Sequence, residues 1–433
     1  MKKTQKPERI DPKLPGGFRD YGPREARIKQ RILDTARSVF ELFGFEPLET
    51  PAVELTETVT GGEGDAQKII YNVTSSRQQE EKSKEKLSLR FDLTVPLARF
   101  VAANPDIPKP FKRYQIGNVW RGERQQAGRY REFTQADVDI VGMSSPDADS
   151  EIIAIIDATL KNLGIDNFLI KINDRAILNT LSSFAGFPKE KLWDALRIID
   201  KKDKIGRDGV CKELESEFRK EVAKKIGEFV EDEKKDREGS ENIKEIMKNL
   251  DELGIEKKNW KFDPSLVRGL SYYTGTVFEA ILTDAPEIGS VFGGGRYDDL
   301  VMRFTGQPIP AVGASLGVDR LLAALEKLGK LATKKTTLGV LILNFTENMK
   351  PEYLALAREL RAAKINTSLY LGEDKAFQAQ LSYAVKKETP YVIMYGEEEK
   401  NKNVVAVKNL NTRVQNEVPR EKIVEYLKKE VRD

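Results

Sequence analysis

Residues 111–142, FKRYQIGNVWRGERQQAGRYREFTQADVDIVG, read as two strands joined by a polar, arginine-rich hairpin. In the first limb Tyr114, Ile116, Asn118 and Trp120 alternate with Gln115, Gly117, Val119 and Arg121. In the second, Thr134, Ala136, Val138 and Ile140 share a face fit for a core, which leaves Phe133, Gln135, Asp137 and Asp139 on the opposite face of the pleat. One aromatic, an amide and two carboxylates make a face poorly suited to burial. Arg121, Arg124, Arg129 and Arg131 lie between the limbs, and guanidinium forks suit phosphate or carboxylate oxygens. A solvated tip whose arginines pair with Glu123 and Glu132 is the plain alternative. Against it, Arg121 and Glu123 leave the first strand beside the row of Phe133, Gln135 and Asp139. Cation, aromatic platform and carboxylates together describe a pocket for a nucleotide and a small polar ligand.

RGERQQAGRYREF, followed by Gln135 and Asp139, resembles motif 2 of the class II aminoacyl-tRNA synthetases, in the wording of the histidyl-tRNA synthetase family. Other stretches resemble the same family. LVRGLSYYTGTVFEA (residues 266–280) is similar to its histidine-specific motif, with Ser271 where Asp is common. PAVGASLGVDRLLAAL (residues 310–325) reads as a strand turning at Gly317 into a helix and resembles motif 3. Arg320 falls in that helix's first turn, where a cation opposes the dipole and wants an anionic or aromatic partner. A helix from Pro23 to about Phe43, then a strand over residues 45–51 closing on Pro51, resembles motif 1, which lies at the family's dimer interface.

The composition narrows the chemistry. At 433 residues, two or three domains are expected. With 72 basic against 69 acidic residues the net charge is +3, so any nucleic-acid contact must come from local patches. The single Cys211 excludes a disulfide framework and a Cys-based zinc site. There is no histidine, which excludes Ser-His-Asp triads and His metal sites. An ionisation at about pH 6.5 in the histidine dependence of adenylate formation, the reaction the resemblance implies, is then expected to belong to the ligand, with Asp92 and Asp139 the competing carboxylates. The start, MKKTQKPERIDPK, lacks a signal peptide's apolar segment, and no apolar run is long enough to span a bilayer. A cytoplasmic location with no membrane partner is expected.

Along the chain, residues 61–86 read as an exposed loop beside a site. In SLRFDLTVPLAR, Asp92 falls in an apolar strand before Thr94 and a helix entered at Pro96; it either caps that helix or meets a ligand. Residues 147–163 predict an amphipathic helix and 168–172 a strand. Residues 174–258 predict a charged, solvated helical bundle with no nameable chemistry. GSVFGGGRYD (residues 289–298) reads as a glycine-rich turn ending at Tyr297. Beyond a basic linker at residues 326–335, the order strand, helix, strand, helix, strand, followed by another strand near 404–407 and a helix from Arg420, implies a small sheet with helices on both faces.

The resemblance implies an α+β catalytic domain over residues 1–330, an antiparallel sheet flanked by helices with a helical insertion at 174–258, and an α/β anticodon-binding domain over 336–433. It implies activation of L-histidine with ATP to histidyl-adenylate, transfer to tRNA(His), a homodimer, and Mg2+ with the nucleotide. Arg121 and Arg268 would be catalytic. Arg121, Glu123, Phe133, Arg268 and Arg320 would hold ATP. Asp92, Leu93, Thr94, Gln135, Asp139, Tyr272, Tyr273 and Tyr297 would hold histidine. Two alternatives stay open: a catalytically silent paralogue such as the regulatory subunit of ATP phosphoribosyltransferase, and a class II synthetase for another amino acid.

Overall fold

In the computed structural model the described residues are 10–61, 69–74, 85–123, 130–232, 241–268, 273–330 and 336–431. The chain forms two compact units, Met1–Leu331 and Ala332–Asp433. The first is built on an eight-stranded sheet in the order β1-β5-β6-β11-β10-β9-β7-β8. Its strands are β1 (Glu46–Pro47), β5 (Phe111–Trp120), β6 (Glu132–Val141), β7 (Phe168–Asp174), β8 (Trp260–Phe262), β9 (Thr276–Leu282), β10 (Ser290–Arg296) and β11 (Ala311–Gly317). The middle six strands run antiparallel, and only the edge pairs β1 with β5 and β7 with β8 are parallel. A smaller sheet, β2 (Val53–Leu55), β4 (Leu87–Leu89) and β3 (Tyr71–Val73), lies in the same unit.

The pleat sorts the two faces as the alternation of the hairpin predicts. Tyr114, Ala136, Val138, Ile140, Val312 and Leu316 join one apolar core with Ile28 and Ile32 of helix Pro23–Leu42, Ile152 and Ile156 of helix Pro146–Asn162, and Leu321 of helix Val318–Lys327. Each large side chain so buried contributes roughly 1.5–3 kcal/mol, so this face outweighs the several kcal/mol that an imperfectly paired buried carboxylate costs on the other. The other face is the polar one, and it is buried as well: Gln135, Asp137 and Asp139 are 8%, 2% and 3% exposed. The expectation that this face stays out of the interior is corrected by its neighbours. Register sets Arg113 and Gln115 of β5 on one side of Asp139 and Asp137, and Gly313 and Ser315 of β11 on the other, so polar groups bury against polar groups.

Four further readings change. The glycine-rich stretch expected as a turn is the central strand β10. Its glycines are needed for space: a Cβ on Gly294 would stand 2.2 Å from the Gly313 carbonyl oxygen, and one on Gly295 2.6 Å from that of Thr276. The strand expected over residues 45–51 shrinks to Glu46–Pro47, because it pairs only along the edge of β5. The described residues of the stretch 174–258 form mainly a series of short helices that add to the core of the sheet rather than a solvated bundle. Leu196, Ile226, Phe229, Ile246 and Leu250 from these helices join the same core as the sheet. The stretch expected as a linker from residue 326 is helical through Lys327, and residues 331–335 lie outside those described.

The second unit holds a five-stranded sheet, β13-β12-β14-β15-β16, of β12 (Val340–Ile342), β13 (Thr367–Leu369), β14 (Tyr391–Met394), β15 (Val404–Asn409) and β16 (Gln415–Pro419). β12, β13 and β14 are parallel, joined through helices Lys350–Ala362 and Phe377–Lys386, and β15 and β16 add antiparallel. β16, polar and largely exposed, was not anticipated. Among the described residues no helix is long and apolar enough to cross a membrane.

Candidate active site

Two adjoining cavities lie over the polar face of the large sheet. The outer, of about 400 Å³, is lined by Arg121, Glu123, Phe133, Arg268, Ser290 and Arg320, among others. The inner, of about 220 Å³, is lined by Asp92, Thr94, Asp137, Asp139 and Tyr297, with Ile69 at its wall. Arg121, Gln135, Tyr273 and Ser315 line both. Of the residues expected to hold ligands, Leu93 lines neither cavity; it is fully buried, and its carbonyl accepts from Arg113 Nη2 at 3.1 Å. Tyr272 lies outside the described residues, as do Ser271, Arg124 and Arg129.

In the inner cavity the carboxylates are held in three different ways. Asp139 pairs with the fully buried Arg113 at 2.9 Å and accepts from the Tyr297 hydroxyl. A Cβ on Gly313 would come within 2.0 Å of its Oδ1, so only glycine on β11 leaves room for this carboxylate. Burial pushes the Asp139 pKa up, while Arg113 and the tyrosine hydrogen bond pull against it. Asp92 sits in the turn after β4, not within a strand, and its Oδ1 accepts from the Val95 amide at 3.1 Å at the start of helix Thr94–Ala103. It therefore both caps the helix and faces the cavity. Burial raises its pKa against that hydrogen bond and the charges of Arg121 and Arg113. Asp137 Oδ1 is buried with no hydrogen-bond partner. Burial pushes the Asp137 carboxyl up to about 7, with Arg113 opposing the rise and Asp139 adding to it. Gln135 donates to the Ser315 hydroxyl at 2.5 Å.

The outer cavity is cationic and aromatic. Arg121 Nε donates to the Phe91 carbonyl at 2.9 Å, and its guanidinium stands 5.1 Å from the Phe133 ring centroid. Arg268 pairs with Glu279 of β9 at 2.5 Å and donates to Ser290 Oγ at 3.0 Å. Arg320, in the first turn of its helix, donates from Nη1 to the Ser290 carbonyl at 3.0 Å. At the base of the hairpin, Arg131 bonds to the Gly16 carbonyl at 3.0 Å and reaches that of Glu123 at 3.5 Å. Glu132 accepts from Asn118.

Sequence reasoning missed Arg113, Glu279, Ser290 and Ser315, and saw Asp137 on the polar face without giving it a role. The signal was in the alternation: Arg113 has the parity of Gln115 and Arg121, and an arginine inside a strand needs an acceptor across the ladder. Which neighbour would supply one depended on register with β6. The arrangement offers carboxylates and hydroxyls for a small cationic, polar group at one end and three guanidiniums with an aromatic plate at the other. That division suits an amino acid joined to a nucleotide, with charge stabilised by fixed groups. Among the described residues no group of three or more His, Cys, Asp or Glu side chains is placed to hold a metal ion.

A sequence profile described as histidyl-tRNA synthetase matches residues 17–321, and one described as an anticodon binding domain matches residues 339–430. The histidine--tRNA ligase of Wolinella succinogenes is 41% identical over 424 residues, covering 93% of this chain and 94% of that one. The crystal structure of the histidyl-tRNA synthetase from Nostoc sp. PCC 7120 superposes with a TM-score of 0.85 at 31% identity, covering 98% and 100% of the two chains. A Bacillus halodurans structure titled an ATP phosphoribosyltransferase regulatory subunit/histidyl-tRNA synthetase has a TM-score of 0.71 at 25% identity, over 87% and 97%.

Proposed function

Since the chain belongs to the histidyl-tRNA synthetase family, we propose that its two adjoining cavities activate L-histidine with ATP and pass the histidyl group to the 3′ end of tRNA(His). The observation that carries this reading is the union of an acidic inner cavity with an arginine-lined outer one through Arg121, Gln135 and Tyr273. In the first step the carboxylate of histidine attacks the α-phosphate of ATP. A bond forms between carboxylate oxygen and phosphorus, and pyrophosphate leaves with the electron pair of the broken bond. The substrate supplies the nucleophile, so the protein's part is positioning and charge stabilisation. In the second step a terminal ribose hydroxyl of the tRNA attacks the acyl carbon and AMP departs.

Arg121 stands where the cavities meet and would bridge the carboxylate and the α-phosphate. Arg268 would reach the same phosphate from the opposite side, exchanging Glu279 for it. Glu123 would accept from the adenine amine, with the ring between Phe133 and Arg320. Asp92, Thr94 and Gln135 would receive the ammonium. Asp139, Tyr273 and Tyr297, with Tyr272, would receive the imidazole nitrogens. A ligand lacking those nitrogens would leave buried polar groups unpaired, and that is the basis for rejecting isosteres. Magnesium would arrive with the nucleotide and offset the charge of its phosphates. The second unit would bind the anticodon. A cytoplasmic homodimer through the region of residues 23–55 completes the reading, supported by the exposed apolar side chains of Leu42, Val53 and Leu55.

Pyrophosphate exchange into ATP, run with each amino acid in turn, tests the proposal. Exchange with histidine alone is expected, and Arg268→Ala should lower its rate by about 10² or more, the scale for losing one preorganised charge donor. No exchange from a folded, ATP-binding protein would make this a binding module rather than an enzyme. An Arg268→Ala rate within a few-fold of the parent would make that arginine structural.

A further inference from the structure

Arg175 follows the last residue of β7, at the first position of the short helix Arg175–Asn179. Its backbone is pinned there: Arg175 N–H donates to the Gly275 carbonyl at 3.0 Å, and Asp174 Oδ1 accepts from the Ala176 amide at 2.7 Å. Its side chain is packed away, since the residue is 6% exposed and its guanidinium carbon stands 4.9 Å from the Trp193 ring centroid. Nη1 is buried with no hydrogen-bond partner. Among the described residues no carboxylate pairs with this guanidinium, and burial lowers its pKa with no charge opposing. Other buried arginines of the same unit have a carboxylate or carbonyl partner, although Nε and Nη1 of Arg113 are also buried without a hydrogen bond. Arg113 has Asp139, Arg296 has Asp149, and Arg90 has the carbonyls of Thr50 and Asn118. A buried, unanswered charge costs several kcal/mol, so the position calls for an anion.

The space for one is present. Arg175 and Trp193 line a recess of about 450 Å³ together with Asn179, Lys189 and Glu190. It shares no lining residue with the two catalytic cavities. Arg175 and Lys189 give it two cations against the one carboxylate of Glu190, and the Asn179 amide adds donors. A guanidinium fork, an ammonium point charge and an amide suit a tetrahedral dianion better than a lone carboxylate. Trp193, itself half-exposed, stacks on the guanidinium and lines the same recess. We infer that the recess formed by Arg175, Trp193, Lys189 and Asn179 is a second anion site, built for a phosphate group and separate from the catalytic cleft. The phosphate comes either free from solution or as a backbone phosphate of a nucleic-acid strand lying across the recess.

The test uses the full-length protein. Trp193 is one of three tryptophans and stacks on the binding group, so its fluorescence reports occupancy. Titration with inorganic phosphate at constant ionic strength should give a saturable change that is lost in Trp193→Phe and Arg175→Gln and weakened at least three-fold in Lys189→Ala. Histidine-dependent pyrophosphate exchange should stay at the parental rate in Arg175→Gln. A second arm, which alone rests on the proposed charging of tRNA, measures tRNA binding against salt. A backbone phosphate as the occupant predicts a log–log slope smaller by about 1 in Arg175→Gln and competition by inorganic phosphate. An unchanged slope with a retained phosphate titration assigns the site to the free anion. Should Arg175→Gln fail to fold, the parent and Lys189→Ala carry both arms. No saturable phosphate response in the parent, with an unchanged tRNA slope in the variants, overturns the inference.

Discussion

Between Gln135 and Asp139, Asp137 carries the carboxyl that burial pushes up from an ordinary 3.8 to about 7, with Arg113 opposing the rise and Asp139 adding to it. The consequence for stability has a definite sign. Between pH 3.8 and about 7 the folded chain keeps a proton that the unfolded chain releases, so this group's contribution falls as pH rises through the window and is flat above it. Asp137→Asn removes the dependence. The melting temperature of the variant minus that of the parent should therefore become more positive from pH 5 to pH 8, by roughly 2 °C or more. A difference constant with pH would mean Asp137 is ionised throughout. Asp137 titrates with Asp139 and Asp92, whose pKa values burial also raises, so the measurement reports the set. The absence of histidine led to the expectation that an ionisation near neutrality belongs to a ligand, with Asp92 and Asp139 as the competing groups. Composition cannot reveal that burial on this strand face, with Asp139 adding to it, pushes a further group, Asp137, into the same range.

At the scale of elements, the polar face depends on glycines in the strands beside the acids. Gly313 lies opposite Asp139 in the ladder, and an added Cβ would meet Asp139 Oδ1 at 2.0 Å. The carboxylate has little room to yield, being tied to Arg113 and Tyr297. Gly313→Ala should therefore raise the KM for histidine at least about ten-fold, the scale of one misplaced charged hydrogen bond, and leave the KM for ATP within a few-fold. Equal rises in both constants would point to a general disturbance of the sheet. The hairpin strands were legible because the apolar and polar parities are clean over β5 and β6. The glycine-rich β10 was not, since a glycine run is the same string whether it serves a turn or makes room between crowded strands.

Across the whole molecule, the two units hold separate apolar cores, one centred on the large sheet and one on Val340, Ile342, Tyr353, Leu360 and Ile393. The residues assigned to chemistry all lie in the first unit. Removal of residues 336–433 should leave histidine-dependent pyrophosphate exchange within a few-fold of the parent and weaken tRNA charging by at least about ten-fold. A truncated protein that is folded and charges tRNA as well as the parent would give the second unit another role.

The sequence by itself determined which residues share a face, where the hairpin and the succession of strand and helix in the second unit fall, and which motifs carry the family's wording. These are local properties, set by a period of two or 3.6 along the chain. Tertiary structure decided what comes together: Arg113 against Asp139 through register, Arg268 against Glu279 through packing, and Asp137 Oδ1 buried without a hydrogen bond. It also left Arg175 stacked on Trp193 with Nη1 bearing no hydrogen bond among the described residues, a relation between side chains that meet only after β7 and the helices that follow have packed. Burial and pairing depend on neighbours distant in the chain, and a linear pattern does not carry the desolvation that makes an unpaired charge costly.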